Sequence, residues 1–281
     1  MKTQSKFYNS STKFYYKILK HPIFLKKSLE IPRKNPNLTV IFLHGISADS
    51  TTWQKTFNRL EKNKNLTTVR FLSLDLLGFG KSLKADWQKY NFSEFDAALK
   101  NSLKRYRVKT PYIIVGHSMG CLVTVHFAKN SPKNLEELIL ISPPVIKRNE
   151  IAKLPDKFYT KTYSSIEKIA DKDEAKALGS FIERASSFRS SYLDTKAFNS
   201  TMKNLILSPT NYDTFLNLNL KTTIIHGRLD PLVIGKNLAE LANENPFLKL
   251  IPTMSTHDIS KQKYDKMVSI LERAIKNVKT L

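Results

Sequence analysis

The chain has 281 residues, 41% of them hydrophobic and 10% aromatic, enough for one large α/β domain with a sizeable core, which excludes wholesale disorder. Its 46 basic and 24 acidic residues give a net charge of +22, but the excess is mostly lysine and is spread along the chain. Without an arginine-rich block or aromatic-interleaved patch this argues against a specific nucleic-acid site and leaves only weak attraction to anionic membrane surfaces. The single cysteine, Cys121, excludes an intrachain disulfide. With no secretory apolar region and no run near the roughly 20 apolar residues of a membrane span, the expectation is a soluble, cytoplasmic protein.

The first 35 residues carry lysines every few positions and leave room for a short leading hairpin. Leu38 to Leu43 (LTVIFL) reads as a buried strand that stops at His44-Gly45, and Thr68 to Leu74 (TVRFLSL) as another that stops at Asp75. Ser93-Glu94-Phe95-Asp96 resembles a helix N-cap with a carboxylate three residues on, after which Phe95, Leu99, Leu103 and Tyr106 share one helical face. Tyr112 to Val115 forms a β-branched run into Gly116-His117-Ser118-Met119-Gly120, followed by an apolar segment of helical length. Leu138 to Ile141 (LILI) ends at Ser142-Pro143-Pro144. The alternation then breaks over 145–214, a charged, helix-like stretch with an apolar stripe of Ile166, Ile169, Leu178, Phe181 and Ile182. It resumes with Thr222 to Ile225, ending at His226-Gly227, and with Phe247 to Ile251. A final helix places Met267, Ile270, Leu271, Ile275 and Val278 on one side. Short apolar strands separated by helices imply an α/β protein: a mostly parallel central sheet with helices on both faces. Residues 1–144 and 215–281 form the core in this reading, and 145–214 a helical cap, or lid, inserted in it.

The stretch IIVGHSMGCL, residues 113–122, sets a lone serine where a strand turns into a helix. Such a bend projects a nucleophile and turns the N–H groups of the helix N-terminus toward the reacting oxygen. Small residues two positions before and two after, Gly116 and Gly120, let strand and helix pass closely. A serine there needs a histidine base and a carboxylate, which in this architecture follow in the order serine, acid, histidine. Only His226 and His257 lie beyond Ser118 and outside the helix that follows it. Asp230 follows one late strand and His257 the next, which brings both to the carboxyl edge of the sheet with Ser118. After His44-Gly45, the N–H of Ile46 would pair with that of Met119 as an oxyanion hole.

Other residues have plainer readings. Asp75, with the glycines of DLLGFGKS after it, fits a turn brace beside His44 better than a triad acid, because it precedes Ser118. Gly80-Lys81-Ser82 is a tight turn, since a carboxylate at position 75 would repel phosphate. His117 should point away from Ser118 in a structural role, His126 should pack within the helix after Gly120, and Cys121 should be a small buried hydrophobe. The histidine spacing offers no metal site and no motif calls for a cofactor.

HGISADSTTW (44–53), DLLGFGKS (75–82), GHSMG (116–120), GRLDPLV (227–233) and the histidine of THD (256–258) resemble, in order, the blocks of the α/β-hydrolase superfamily, in its esterase and lipase branch. The resemblance covers roughly residues 38 to 275. It implies Ser118 as nucleophile, Asp230 as triad acid, His257 as general base, and Ile46 and Met119 as oxyanion donors. Ser255-Thr256 stand where the family often has glycine before the histidine, and the loop after His44 lacks the extra glycines of many lipases. The implied activity is hydrolysis of a small-molecule carboxylic ester through an acyl-enzyme. Thioesterase, perhydrolase, peptidase or carbon–carbon hydrolase chemistry, or ligand binding without turnover, are the alternatives. The cap residues Phe158, Tyr159, Phe181, Phe188, Tyr192 and Phe198 suggest an apolar acyl group, unless they serve only to hold the cap to the core.

Overall fold

A computed structural model describes residues 22–85, 87–147 and 195–278. Seven strands form one sheet: β1 (Lys26–Ile31), β2 (Leu38–Leu43), β3 (Val69–Asp75), β4 (Tyr112–His117), β5 (Leu135–Ile141), β6 (Thr222–Gly227) and β7 (Leu248–Thr253). Their spatial order is β1-β3-β2-β4-β5-β6-β7. The pairings from β3 through β7 are all parallel, and β1 alone runs antiparallel, along β3. The described part of the leading segment is therefore an edge strand on β3 rather than a hairpin. A bulge between Lys27 and Leu29 turns Ser28 so that its hydroxyl donates to Asp75 at 2.6 Å.

Successive residues of the central strands feed two separate cores, as a sheet covered on both faces requires. Val40, Phe42, Ile113, Val115, Ile139 and Ile225 pack with α1 (Gln54–Lys62) and α7 (Lys261–Val278), through Phe57, Leu60, Met267, Ile270 and Leu271. Ile41, Leu43, Ile114, Leu138, Leu140 and Ile224 face the opposite way. There they meet α2 (Phe92–Arg105), α3 (Met119–Ala128) and α6 (Gly235–Glu244), through Phe95, Leu99, Leu122, Val125, Leu238 and Leu241. Each such side chain contributes about 1.5–3 kcal/mol on full burial.

The α2 N-cap is Asn91, two residues before the predicted Ser93: its side chain accepts from Glu94 N–H, and Glu94 reaches back to the N–H groups of Lys89 and Tyr90. The bond from Glu94 N–H to the side chain of Asn91, three residues earlier, decides for Asn91 over Ser93.

Of the segment read as a cap, the described part is α4 (Thr195–Thr201), a π-turn over Met202–Ile206, and α5 (Asn211–Leu216). Phe198, Met202 and Phe215 are buried against the α2–α3–α6 side of the core. The stripe Ile166, Ile169, Leu178, Phe181 and Ile182, and the aromatics Phe158, Tyr159, Phe188 and Tyr192, lie outside the described residues.

Candidate active site

Ser118 is the single residue between β4 and α3, with φ 51° and ψ −120°. A non-glycine residue pays for such a conformation, and it persists only where the surroundings over-determine it. They do: Ser118 N–H donates to Ile141 O at 2.9 Å, and Ser118 O accepts from Cys121 N–H at 2.9 Å. The flanking glycines are steric necessities. A Cβ on Gly116 would lie 2.8 Å from the Cys121 backbone, and one on Gly120 would lie 2.5 Å from Leu43 O and 2.6 Å from His44 O. The second contact shows that α3 is pressed against the end of β2 as well as its own strand.

The same end of β2 carries the loop at Gly45. A Cβ there would come within 3.1 Å of Ser118 Cβ and 3.6 Å of its Oγ, so this backbone lies directly against the serine. His44 fixes the loop. Its Nε2 accepts from Leu76 N–H at 2.9 Å, which puts the proton on Nδ1, and Nδ1 then donates to Gly45 O at 2.7 Å. Burial holds this imidazole below its ordinary pKa, in keeping with a neutral ring. Asp75, as expected of a brace, accepts from Ser50 N–H and Lys81 N–H at 2.8 Å each and from Ser28. Burial pushes its carboxyl up, but these bonds and the neighbouring His44 outweigh that and leave it below its ordinary value. The side chains of Ile46 and Met119 join the apolar cluster on the α2–α3–α6 side.

Asp230 and His257 lie on the loops leaving β6 and β7, which are cross-bonded. Arg228 N–H donates to Thr253 O at 2.8 Å and Leu229 N–H to Ser255 O at 3.2 Å. Any side chain at Gly227, the last residue of β6, would collide with the Ser255 carbonyl, so the glycine lets the segments after β6 and β7 approach this closely. His257 Nδ1 donates to the two Asp230 oxygens at 3.0 and 2.9 Å, both residues being buried. With Nδ1 donating, Nε2 of the neutral ring is the acceptor. Asp230 also accepts from Leu232 N–H at 2.9 Å and from the Ser142 hydroxyl. Burial raises its carboxyl, and the bonds from His257, Leu232 and Ser142 more than reverse this.

Ser118 and His257 are joined through His117. Its Nε2 lies 3.0 Å from His257 O, the two imidazole centroids are 5.0 Å apart, and its Nδ1, like Ser118 Oγ, lies against Gly45. No neighbouring residue points to this partner of His117, because the contact spans 140 residues. Ser142 and Lys263 also join the site through contacts distant in sequence. Lys263 had a readable signal, since it stands on the stripe that Met267, Ile270, Leu271 and Ala274 bury. His126 differs from expectation: rather than packing within α3, it is half-buried against α2, stacked on Phe92 and 2.8 Å from Asp96. Cys121 is buried with its thiol toward Gly116 O and Ile141 O, and burial pushes its pKa up. Among the described residues no group of three or more His, Cys, Asp and Glu is arranged for a metal ion, and no helix is long and apolar enough to cross a membrane.

Residues 39–261 match the family model described as alpha/beta hydrolase fold. The chain is 34% identical over 106 residues to a probable lysophospholipase, BODYGUARD 1, of Arabidopsis thaliana, covering 37% of this chain and 22% of that protein. It is 32% identical over 114 residues to the pimeloyl-[acyl-carrier protein] methyl ester esterase of Pseudoalteromonas atlantica, covering 40% of each. The matched segment thus spans less than half of either relative. The solved structure of MenH from S. aureus superposes with a TM-score of 0.68 at 17% identity, covering 89% of this chain and 98% of that one. By the family match over most of its length and by its strand order, the chain belongs to the α/β-hydrolase fold family.

Proposed function

We propose that the protein is a serine hydrolase of carboxylic esters. His257 Nε2 takes the Ser118 proton as Oγ attacks the ester carbonyl, and Asp230 holds the tautomer and stabilises the imidazolium. The N–H groups of Ile46 and Met119 receive the oxyanion, the alcohol leaves with the proton from His257, and water repeats the sequence on the acyl-enzyme. One observation carries this reading: a buried histidine–aspartate pair whose histidine carbonyl bonds the ring of His117, the neighbour of a serine held in a costly backbone conformation at a strand–helix bend. The hydrolase family and the esterase and lysophospholipase relatives support the reaction type.

The substrate in this reading is a small ester with an apolar acyl group, since Ile46, Met119 and Phe198 belong to one apolar cluster. We place the protein in the cytoplasm, with weak, salt-sensitive attraction to anionic membranes from its charge of +22. The test is labelling by a fluorophosphonate, together with turnover of nitrophenyl esters of rising acyl length. Labelling at Ser118 that disappears in Ser118→Ala, along with all esterase activity, is the expected result. A pure, folded protein that never labels at Ser118 would point instead to ligand binding without turnover.

A further inference from the structure

Lys263 is the most unusual residue outside the reacting groups. It belongs to the first turn of α7, on the stripe whose other members are apolar, and its side chain is completely buried. A buried ammonium is costly unless its donors are satisfied. Here they are directed to four oxygens: Thr256 O at 2.5 Å, Ser142 Oγ at 2.8 Å, Asp258 O at 3.0 Å and His257 O at 3.1 Å. Three of these are consecutive carbonyls of the loop that presents His257. The fourth, the Ser142 hydroxyl, accepts from Lys263 and so directs its own proton to Asp230. The result is a closed circuit: Lys263 to the His257 backbone, and Lys263 through Ser142 to the carboxylate that receives the His257 ring.

We propose that Lys263 is a positioning residue for the hydrolytic site, its charged amine holding residues 256–258 and Asp230 in the one arrangement that keeps the His257 ring aligned. The inference rests on the proposed roles of Ser118, Asp230 and His257. A carbonyl pays little for losing one donor at the surface, but three adjacent carbonyls turned inward need a cation to gather them. The ionisable groups facing the amine are His117 from the end of β4, Cys121 from α3, His226 and Asp230 from the end of β6 and its loop, and Asp258 from its own loop. Burial brings the Lys263 amine down to about 8 despite the attraction of Asp230, Asp258 and Cys121. The clamp is therefore charged at neutral pH and discharges in mild alkali.

Lys263→Met keeps the length of the side chain and removes the donor. Relative to the wild type, its kcat for a nitrophenyl ester should fall about 10- to 100-fold with KM nearly unchanged, the range expected for a displaced reacting group. The downfield proton resonance of His257 Nδ1–H, read by NMR, should weaken or vanish. A folded Lys263→Met protein with wild-type kcat and an unchanged resonance overturns the proposal. Should that variant not fold, the wild type carries the test. Its His257 Nδ1–H resonance should fade with a midpoint near pH 8 while far-ultraviolet circular dichroism stays constant, and persistence of the resonance to high pH overturns the proposal. Because the resonance needs no turnover, its loss in a protein that never labels with fluorophosphonate would sustain the clamp and sink only the esterase reading.

Discussion

The ring of His117 is hydrogen-bonded through Nε2 to the backbone carbonyl of His257, at 3.0 Å. A carbonyl only accepts, so Nε2 carries the proton. Burial, first, and then repulsion from His257 hold this imidazole well below its ordinary pKa, which keeps it neutral. The residue preceding the serine thus grips the backbone of the residue proposed to be its base.

That grip makes His117→Leu a measurable perturbation. Lys263 remains as the other donor to the same carbonyl, so kcat should fall only severalfold to about tenfold. Combining it with Lys263→Met should cost more than the sum of the separate losses in free energy, since the carbonyl then has neither donor. Steady-state kinetics on the four proteins of this cycle, with thermal melts to exclude unfolding, decide the matter. Strict additivity would mean the two donors act independently.

Ser118→Gly should separate stability from activity. Glycine adopts φ 51° freely, so removing the side chain relieves strain of about 1–2 kcal/mol. A domain of this size should gain about 2–4 °C in Tm per kcal/mol while losing its ester hydrolysis. A fall in Tm would show that the serine side chain contributes more through its contacts than its backbone costs.

Asp75→Asn tests the brace between β3 and the loops at Ser50 and Lys81. An amide cannot accept the three hydrogen bonds as a charged carboxylate does, and bonds to charged groups are worth about 1.5–3 kcal/mol each. A loss of about 2–4 kcal/mol at neutral pH is expected. The folded carboxyl lies below its ordinary 3.8, so its contribution is complete above that value and disappears as pH falls through the folded one. Denaturant titrations should therefore show the gap between wild type and Asp75→Asn closing in acid. A gap that stays constant would assign the effect to shape rather than charge.

Lys263 gives the same sign at high pH. Its folded value of about 8 lies below its ordinary 10.5, so between the two the unfolded chain binds more protons. Stability from this group then rises as pH increases from 8 toward 10.5. The wild type should gain thermal stability relative to Lys263→Met across that window, even while activity declines. A relative loss there would mean that Lys263 is not titrating in the folded protein.

The sheet was legible because its strands are unbroken apolar runs stopped by turn residues. Leu38 to Leu43 is bounded exactly as the pattern indicates, whereas β3, β4 and β6 run on into Asp75, His117 and Gly227, polar or flexible residues kept extended by their neighbours. The pairing of β1 with β3 was not legible, since an edge strand's partner is chosen by the sheet and not by adjacent residues. At the site, Asp230 and His257 announce themselves by following successive strands, and the structure puts them in contact. The bonds of His117 and Lys263 join positions 140 and 121 residues apart, and only closure of the sheet brings such partners together.

The order of the strands has a consequence for how such a protein can change. Serine, Gly45 loop and His44 anchor all come before residue 147, whereas Asp230, His257 and Lys263 all come after Thr222, and the two groups meet along the β5–β6 seam from Leu138 to Ile225. Insertions, deletions or exchanges between positions 147 and 195 leave the spacing inside each half untouched. On the roles proposed for these residues, recombination in the middle of the chain would leave every group assigned to bond cleavage in place at its two ends.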